Sequence, residues 1–336
     1  MISAVSVQGA GSVGRASLEG VDGLDLCYCR TMPSLAARLE ARVRHLSYTI
    51  GERHYLRPEA LTAAARYIEE QLFSMGVSVL RHEFFVNDQS FANLEVLVPR
   101  ADSSCQEPAC IVVGAHYDTV PGTPGADDNA SGVASLLELA QQLGRERLDR
   151  TLRFVFFPNE EPPFFPDAGM GSAAYAGKLR NEHVDVHVMI SLEMLGYYSD
   201  RAKSQKYPPG LSLFYPDHGN FVGFISNLAS RQRLRETKRV FMASTEFPCE
   251  SLAAPEWTVV VGLSDHHSFW SQGYPALMVT DTAFMRNPHY HGSSDSAETL
   301  DYGRFAEVTR GLVSAVRRLG TIDAVANASP RPRRNV

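Results

Sequence analysis

The sequence contains few of the features that mark a disulfide-stabilised, membrane-spanning or nucleic-acid-binding protein. It has five cysteines in 336 residues, a small and odd number that favours a reduced interior over a disulfide framework. No apolar run approaches the roughly 18–20 residues that a transmembrane helix needs. Acidic residues outnumber basic ones by 38 to 32, and the net charge of −6 argues against a nucleic-acid-binding surface. The first residues lack a basic stretch followed by a long apolar one, so we expect no secretory signal peptide and a cytoplasmic location.

Hydrophobic residues, in contrast, make up 44% of the chain, and aromatic residues make up 10%. This composition supports a sizeable core and excludes a wholly disordered chain, a coiled coil and a collagen-like repeat. The length allows two domains, but no linker divides the sequence clearly. We therefore predict one domain over 31–322, preceded by a poorly structured segment over 1–30 and followed by a disordered tail over 323–336.

Short apolar runs alternate with segments of helical periodicity after Pro108, which is typical of a largely parallel sheet with helices on its faces. Residues 200–262 are less regular and predict an insertion that contains one helix. The predicted fold is α/β, a single domain with a mixed, mostly parallel central sheet and helices on both faces. The predicted strands are 77–86, 91–99, 110–116, 151–160, 186–194 and 275–280, and the predicted helices are 35–46, 58–76, 131–144, 171–180, 220–236 and 305–319.

One glycine motif points to a different class of protein. The run Gly9–Gly14 matches GxGxxG, the fingerprint of a dinucleotide-binding turn. That turn binds pyrophosphate only where it opens a helix, and residues 15–26 contain two further glycines and no apolar stripe. We therefore expect no dinucleotide site here.

Residues with metal-binding chemistry lie where the predicted strands end, which is the edge at which open α/β sheets bind ligands. His116 ends one strand, and Asp118 follows two residues later. A metal-bound imidazole whose second ring nitrogen is held by Asp118 is one interpretation, and a solvent-facing histidine is the other. Asp127 and Asp128 precede a helix, where capping accounts for one of the two carboxylates.

Three further acids and a second histidine follow the same rule. Glu160 and Glu161 are adjacent at a strand end. They are either solvated loop acids or acids that lie beside a bound cation. Glu193 interrupts an apolar strand and needs a partner if it is buried. His291 lies near a strand–loop junction, four residues before Asp295. Together these positions supply nitrogen and oxygen donors without cysteine, which favours Zn²⁺ or a similar divalent ion, and one carboxylate can bridge two ions.

The ordered motifs HYD, GADDNASG, NEE, LEM and YH resemble those of the di-zinc exopeptidases. That family contains bacterial and fungal aminopeptidases, the branch of glutamate carboxypeptidase and the transferrin receptor, and the glutaminyl cyclases. The resemblance extends over about 35–320 and is closest to the bacterial zinc aminopeptidases.

The resemblance implies two zinc ions in each chain and a role for each matching residue. His116 and Glu193 would bind one ion, and Glu161 and His291 would bind the other. Asp127 would bridge the two ions.

Other matching positions would act beside the ions. Glu160 would be the general base, and Tyr290 would stabilise the oxyanion that forms when the peptide carbonyl is attacked. The remaining matches are expected behind the ligands or near the substrate: Asp118, Asp265 and His266.

The sequence also departs from the family pattern. Most members have Asp where Glu193 stands, and the extra methylene bears on the affinity of that zinc site. NEE replaces the usual GEE and keeps both acids. The insertion 162–170 carries Phe164 and Phe165, which would either line an apolar side-chain pocket or pack within the loop. The family's terminal HTxxDT is matched loosely, by Asp295-Ser296.

The resemblance implies a hydrolase, more specifically a metalloprotease. An aminopeptidase is expected among these, because a pocket rich in carboxylates favours the free α-ammonium group of a peptide. We expect peptide substrates and neither a nucleic-acid nor a membrane partner, and the oligomeric state is left open. Secretion is an alternative to the cytoplasmic location, since many members of the family are secreted.

Three other functions compete with this one. Glutaminyl cyclases share the fold but generally replace the DDNASG run and carry Trp where Tyr290 stands. A carboxypeptidase would need a basic group for the terminal carboxylate, and Arg286 is the nearest candidate. A non-catalytic interaction protein would not need the full set of ligand types that this chain retains.

Overall fold

The computed structural model describes residues 33–102, 108–258 and 260–322. The expectations for the segment 1–30, for Gly9–Gly14 and for the tail 323–336 concern residues outside these ranges. Within them, the predicted α/β architecture is confirmed.

The strands of the described residues form one sheet. They are β1 Leu80–Val86, β2 Gln89–Val98, β3 Cys110–His116, β4 Leu152–Phe157, β5 Val186–Glu193, β6 Val222–Asn227, β7 Cys249–Ala254 and β8 Ala276–Thr280. Their order across the sheet is β1-β2-β4-β3-β5-β8-β6-β7. The central strands β4, β3, β5 and β8 run parallel to one another. The pairs β1–β2, β2–β4 and β6–β8 are antiparallel. The outermost pair, β6 and β7, is again parallel.

The helices begin and end close to the positions that periodicity and punctuation indicate. Pro58 occupies the first turn of the second helix, and Gly76 follows its end with a φ of +67°. The helices are α1 Leu35–Arg44, α2 Pro58–Ser74, α3 Gly132–Leu143, α4 Gly171–Asn181, α5 Arg231–Met242, α6 His266–Ser271 and α7 Tyr302–Gly320. Single π-helical turns cover His45–Ile50 and Ala126–Ser131, and 3₁₀ turns cover Leu211–Leu213, Ala283–Met285 and Ala297–Thr299.

The central strands are buried on both faces, which explains why they are nearly uninterrupted apolar runs. Phe154 and Phe156 of β4 pack into a core with helices α1, α2, α3, α5 and α7. Val155 and Phe157, which point to the other face, pack into a second core with α4 and α6. The strand sequences therefore place helices on both faces, as predicted.

The predicted helix over 220–236 is wrong in its first half. Residues Val222–Asn227 form β6, and the helix α5 begins only at Arg231. A short apolar run suits a buried strand as well as a helix, and here β8 and β7 provide hydrogen-bonding partners on both sides. The segment 200–262, expected as an irregular insertion, thus supplies two strands and a helix.

Parallel pairing of the central strands brings their carboxyl ends to a single edge of the sheet. His116 ends β3 and Glu193 ends β5, while Glu160 and Glu161 follow β4 by a short turn. Within the described residues, none of the helices combines the length and the apolar character needed to cross a bilayer.

Candidate metal centre

His116 occupies the middle of a buried cluster of carboxylates. Its side chain is wholly inaccessible to solvent. Its Nε2 atom lies 3.3 Å from Oδ1 of Asp128 and 3.4 Å from Oε2 of Glu193. Since β3 and β5 are parallel neighbours in the sheet, their last residues, His116 and Glu193, lie close together.

His291 approaches the same cluster from the opposite side. Its Nε2 atom lies 3.1 Å from Oδ2 of Asp128 and 3.4 Å from Oε2 of Glu161. Each oxygen of Asp128 therefore faces one histidine, which is the arrangement expected of a carboxylate that bridges two cations.

The structure places Asp127, the residue expected to bridge the two ions, outside the space between the histidines. Its carboxylate turns the other way and accepts hydrogen bonds from the backbone N–H of Gly196 at 2.9 Å and from Nδ2 of Asn287 at 2.7 Å. Burial, together with the charge of Asp281, raises the pKa of Asp127 well above its ordinary value. Asp127 thus faces away from the histidines, whereas each oxygen of Asp128 faces one of them.

Asp128 has the opposite electrostatic environment. Burial by itself would raise the pKa of Asp128, but hydrogen bonds and charge interactions with His116 and His291 outweigh burial and lower it. An ionised carboxylate between two imidazoles is suited to hold cations.

Asp118 supports both the histidine and the adjacent acids. Its Oδ1 atom lies 3.4 Å from Nδ1 of His116, on the side of the ring that faces away from Asp128. The two Asp118 oxygens also accept the backbone N–H groups of Glu160 and Glu161, each at 3.1 Å. The geometry agrees with the expected orienting role and adds a second one, because Asp118 also holds the turn that presents the two glutamates.

Glu160 and Glu161 are buried where their charges repel each other. Burial raises the pKa of Glu160 well above its ordinary value, and His116 opposes this effect. Burial and the charge of Asp128 raise the pKa of Glu161 to about 8. Oε2 of Glu160 lies 3.9 Å from Nε2 of His116. A divalent cation would relieve this repulsion and return the acids to their ionised forms.

The donor atoms fit such a cation. Ligand atoms of His116, Asp128 and Glu161 lie within 4.8 Å of one another. Nε2 of His116 and Oε1 of Glu161 are buried without a hydrogen-bond partner. Buried polar atoms are normally paired, so these atoms fit a ligand at their centre. Imidazole and carboxylate donors in this mixture suit zinc.

Tyr290 and Asp265 also lie beside the cluster. The ring of Tyr290 stacks on that of His291 with 3.8 Å between their centres. Asp265 is fully buried at the start of α6, and its charge interacts with those of His116 and Glu193.

His266, in contrast, points into the protein. Its Nε2 atom lies 2.8 Å from the carbonyl oxygen of Val261, and its ring packs edge-on against Trp270. Burial lowers the pKa of His266 to about 4, which keeps the ring neutral at neutral pH. Its contacts are those of a residue that supports the loop.

The two phenylalanines of the insertion 162–170 pack within the protein. Phe164 is buried edge-on against Tyr55 and Phe91, and half-buried Phe165 lies beside His267. Of the two alternatives for these residues, the contacts of Phe164 fit loop packing.

An apolar cleft lies instead on the face of β6 and β7. It is lined largely by hydrophobic side chains. Its wall includes Tyr207, Leu211, Phe221, Ile225, Leu252 and Met285. Phe284, which precedes Met285 in the sequence, lies with its ring 5.7 Å from that of Tyr290, the residue before His291.

Arg286 does not offer a free guanidinium for a substrate carboxylate. It is buried, and it donates to the side chain of Gln205 at 2.9 Å and to the carbonyl of Phe221 at 2.8 Å. Its guanidinium also lies over the Phe221 ring, 4.6 Å from the ring centre. The candidate residue for a carboxypeptidase is therefore engaged within the fold.

No motif in the sequence pointed to Arg53, a fully buried cation behind the cluster. Its side chain donates to the carbonyls of Tyr117 and Gly125 at 2.8 Å, of Pro124 at 2.7 Å and of Gly51 at 3.1 Å. It thereby holds both ends of the loop between β3 and the Ala126–Ser131 turn. The carboxylates whose charges interact with it are Asp118, Asp128, Glu161 and Asp295.

A mixed α/β sheet whose carboxyl edge carries two histidines around a buried carboxylate defines an α/β protein with a candidate binuclear metal centre. Comparison with known sequences gives the family. The model of peptidase family M28 matches residues 96–316, and this chain belongs to that family. The motif resemblance is thereby confirmed.

Individual relatives agree with this placement. The chain is 36% identical over 286 residues to the uncharacterized protein YfbL of Escherichia coli K12, a match that covers 82% of this chain and 86% of YfbL. It is 23% identical over 275 residues to a probable leucine aminopeptidase of Arthroderma otae, covering 78% of this chain and 65% of that protein.

Solved structures confirm the fold. The zinc aminopeptidase BSAP of Bacillus subtilis superposes with a TM-score of 0.68 at 16% identity, covering 90% of this chain and 98% of BSAP. The glutaminyl cyclase of Fimbriiglobus ruber superposes with a TM-score of 0.61 at 19% identity, covering 85% of this chain and 96% of the cyclase.

Proposed function

We propose that this protein is a zinc-dependent aminopeptidase that hydrolyses N-terminal residues from peptides. The observation that carries the proposal is the position of Asp128 between His116 and His291, with Glu160 beside them, in a chain of peptidase family M28. The leucine aminopeptidase names of fungal relatives support the same activity.

The cluster has ligands for two zinc ions. His116 and Glu193 would hold one ion, His291 and Glu161 would hold the other, and Asp128 would contact both. Zinc at this position supplies Lewis-acid polarisation of the scissile carbonyl and makes water more acidic.

Glu160 is placed to move the proton. Its carboxylate would accept a proton from the attacking water and deliver it to the leaving amine. The hydrogen bond from its backbone N–H to Asp118 holds it in position. Tyr290 would donate its phenolic proton in a hydrogen bond to the developing oxyanion. Burial and the nearby acids raise the pKa of Tyr290, so the phenol keeps that proton.

The acids around the centre also favour a cationic group of the substrate. Asp265 lies in the buried wall of the cluster, where its negative charge would stabilise an α-ammonium group. A peptide whose amino terminus is acetylated lacks that charge. The apolar cleft beside Met285 would accept a hydrophobic side chain of the substrate.

The test compares leucine amide with N-acetyl-leucine amide. We expect hydrolysis of the free amine only, loss of activity after chelation, and recovery when Zn²⁺ is added back. Equal turnover of the free and acetylated compounds would overturn the aminopeptidase assignment. A peptide with N-terminal glutamine serves as a second substrate, because release of glutamine indicates hydrolysis, whereas ammonia and a pyroglutamyl peptide indicate a cyclase.

A further inference from the structure

Asp295 binds the backbone of the segment that carries the bridging acid. It is fully buried and lies four residues after His291. Its Oδ1 atom accepts the N–H of Asp127 at 2.9 Å, and its Oδ2 atom accepts the N–H of Asp128 at 3.1 Å. Its backbone carbonyl accepts the N–H of Ala126 at 3.2 Å. One residue thus satisfies three successive N–H groups.

The loop that contains Asp295 grips this segment at two further points. Asn287, at the start of the loop, donates Nδ2 to the carboxylate of Asp127 at 2.7 Å. The carbonyl of Gly292 accepts the hydroxyl of Thr123 at 2.9 Å. Since His291 lies on this same loop, the loop's position and that of the acidic segment are set together.

These contacts determine which acid faces the histidines. The backbone is not helical at Asp128, where φ is −102° and ψ is 90°. The side chains of Asp127 and Asp128 leave it in different directions, toward Gly196 and toward the histidines, respectively. With both N–H groups held by one carboxylate, the two peptide units have little freedom to exchange these directions.

We propose that Asp295 is a positioning residue of the metal centre, which sets Asp128 and His291 at the spacing that two zinc ions require. The inference rests on the metal centre of the proposed function and is independent of the substrate. A neutral side chain at this position would leave one of the two N–H groups without an acceptor. The bridging carboxylate would then lose its fixed orientation.

The simplest competing explanation is that Asp295 only caps the helical segment that follows Asp127 and Asp128, since a carboxylate stabilises the positive end of a helix. Asp301 provides the matched control. It is half-buried and caps α7, where its side chain accepts the N–H of Arg304 at 3.0 Å. A residue with only a capping role would lower the unfolding temperature and leave the affinity for zinc unchanged.

The experiment titrates the metal-free parent, Asp295→Asn and Asp301→Ala with Zn²⁺ in competition with a chromogenic chelator, and records unfolding temperatures alongside. We expect Asp295→Asn to bind zinc about 10–100-fold more weakly, the effect typical of residues that hold metal ligands. We expect Asp301→Ala, which has no side-chain acceptor for the N–H of Arg304, to stay within about twofold of the parent in zinc affinity while losing thermal stability. An affinity for Asp295→Asn within about twofold of the parent would overturn the proposal.

Asn287→Ala provides a second test in case Asp295→Asn does not fold. It removes a contact between the same loop and the acidic segment, and we expect weaker zinc binding in the same direction. Unchanged affinity in every variant that folds would contradict the proposal. A parent that binds zinc but hydrolyses no peptide would refute the proposed function and leave this inference intact, whereas a parent that binds no zinc would refute both.

Discussion

The backbone N–H of Glu160 donates to the carboxylate of Asp118, at 3.1 Å. The same carboxylate lies 3.4 Å from the ring of His116, so one side chain at the end of β3 orients a ligand candidate and a base candidate that follow neighbouring strands. Adjacent parallel strands make this possible, because their carboxyl ends open on the same side of the sheet.

Replacement of this base should separate chemistry from metal binding. We expect Glu160→Gln to retain zinc and to lose about 10²–10⁴-fold in kcat on leucine amide, since the amide cannot accept the proton from water. Elemental analysis for zinc and steady-state kinetics provide the two readouts. A variant as active as the parent would show that another group is the base.

The two adjacent aspartates should differ sharply in their response to the same substitution. Asp128→Asn removes the carboxylate between the histidines, so we expect fewer bound zinc ions per chain. Asp127→Asn alters a side chain whose oxygens accept from Gly196 and Asn287 and face away from the histidines, so we expect the parent's stoichiometry. Zinc measured in both purified variants decides between the two positions, and the reverse pattern would restore Asp127 as the bridging residue.

Arg53 should be among the most sensitive positions for stability. Arg53→Met leaves several buried carbonyls without donors, and we expect a loss of about 2–4 kcal/mol in the free energy of unfolding. Arg81 is more exposed and pairs with Glu69 and Glu83, so Arg81→Met should cost less than about 1 kcal/mol. Urea unfolding of both variants provides the comparison, and equal losses would contradict the structural role of Arg53.

Stability in acid should depend on Glu236, which pairs with His187 and Arg233 and not with the residues of the candidate metal centre. Burial alone would raise the pKa of Glu236, but His187 and Arg233 outweigh it and lower the pKa to about 2. A depressed pKa stabilises the fold above the ordinary value of 4.5, and this contribution is lost as the pH falls toward 2.

We therefore expect Glu236→Gln to reduce the free energy of unfolding at pH 7 by about 1–2 kcal/mol, with the difference from the parent shrinking below about pH 4.5. Urea unfolding at several pH values measures this dependence. Glu182→Gln, which removes an exposed pair with Lys178, is the control and should cost less than about 0.5 kcal/mol. A difference that is independent of pH would show that the charge of Glu236 is not responsible.

The apolar cleft should determine which N-terminal residues are accepted. A Cβ at Gly223 would meet its nearest neighbour, the carbonyl of Thr280, at 3.4 Å, so Gly223→Ala fits the strand and reduces the space in the cleft. We expect kcat/KM to fall about tenfold for leucine amide and to change little for alanine amide. Gly177→Ala, at a helix position with no atoms within 4 Å of the added Cβ, is the control and should affect neither substrate. An equal loss on both amides would remove the cleft from substrate recognition.

Local sequence signals were sufficient for most of the fold and for most of the site. The run CIVVGAH predicts β3 to the residue, because a central strand covered on both faces must be apolar throughout and can become polar only where it ends. The same reasoning places His116 and Glu193 at the sheet edge. It fails at β6, whose short apolar run has no periodicity that distinguishes a strand from a helix, and whose identity depends on hydrogen bonds to β8.

The sequence by itself determined the α/β class, the family and the kinds of donor at the centre, since these follow from periodicity, motif order and residue chemistry. Only the tertiary structure decided that Asp128, and not Asp127, faces both histidines. Two neighbouring residues of the same type are equivalent in sequence, and the direction of each side chain depends on how the backbone between them is held. Here it is held by Asp295, 168 positions further along the chain from Asp127.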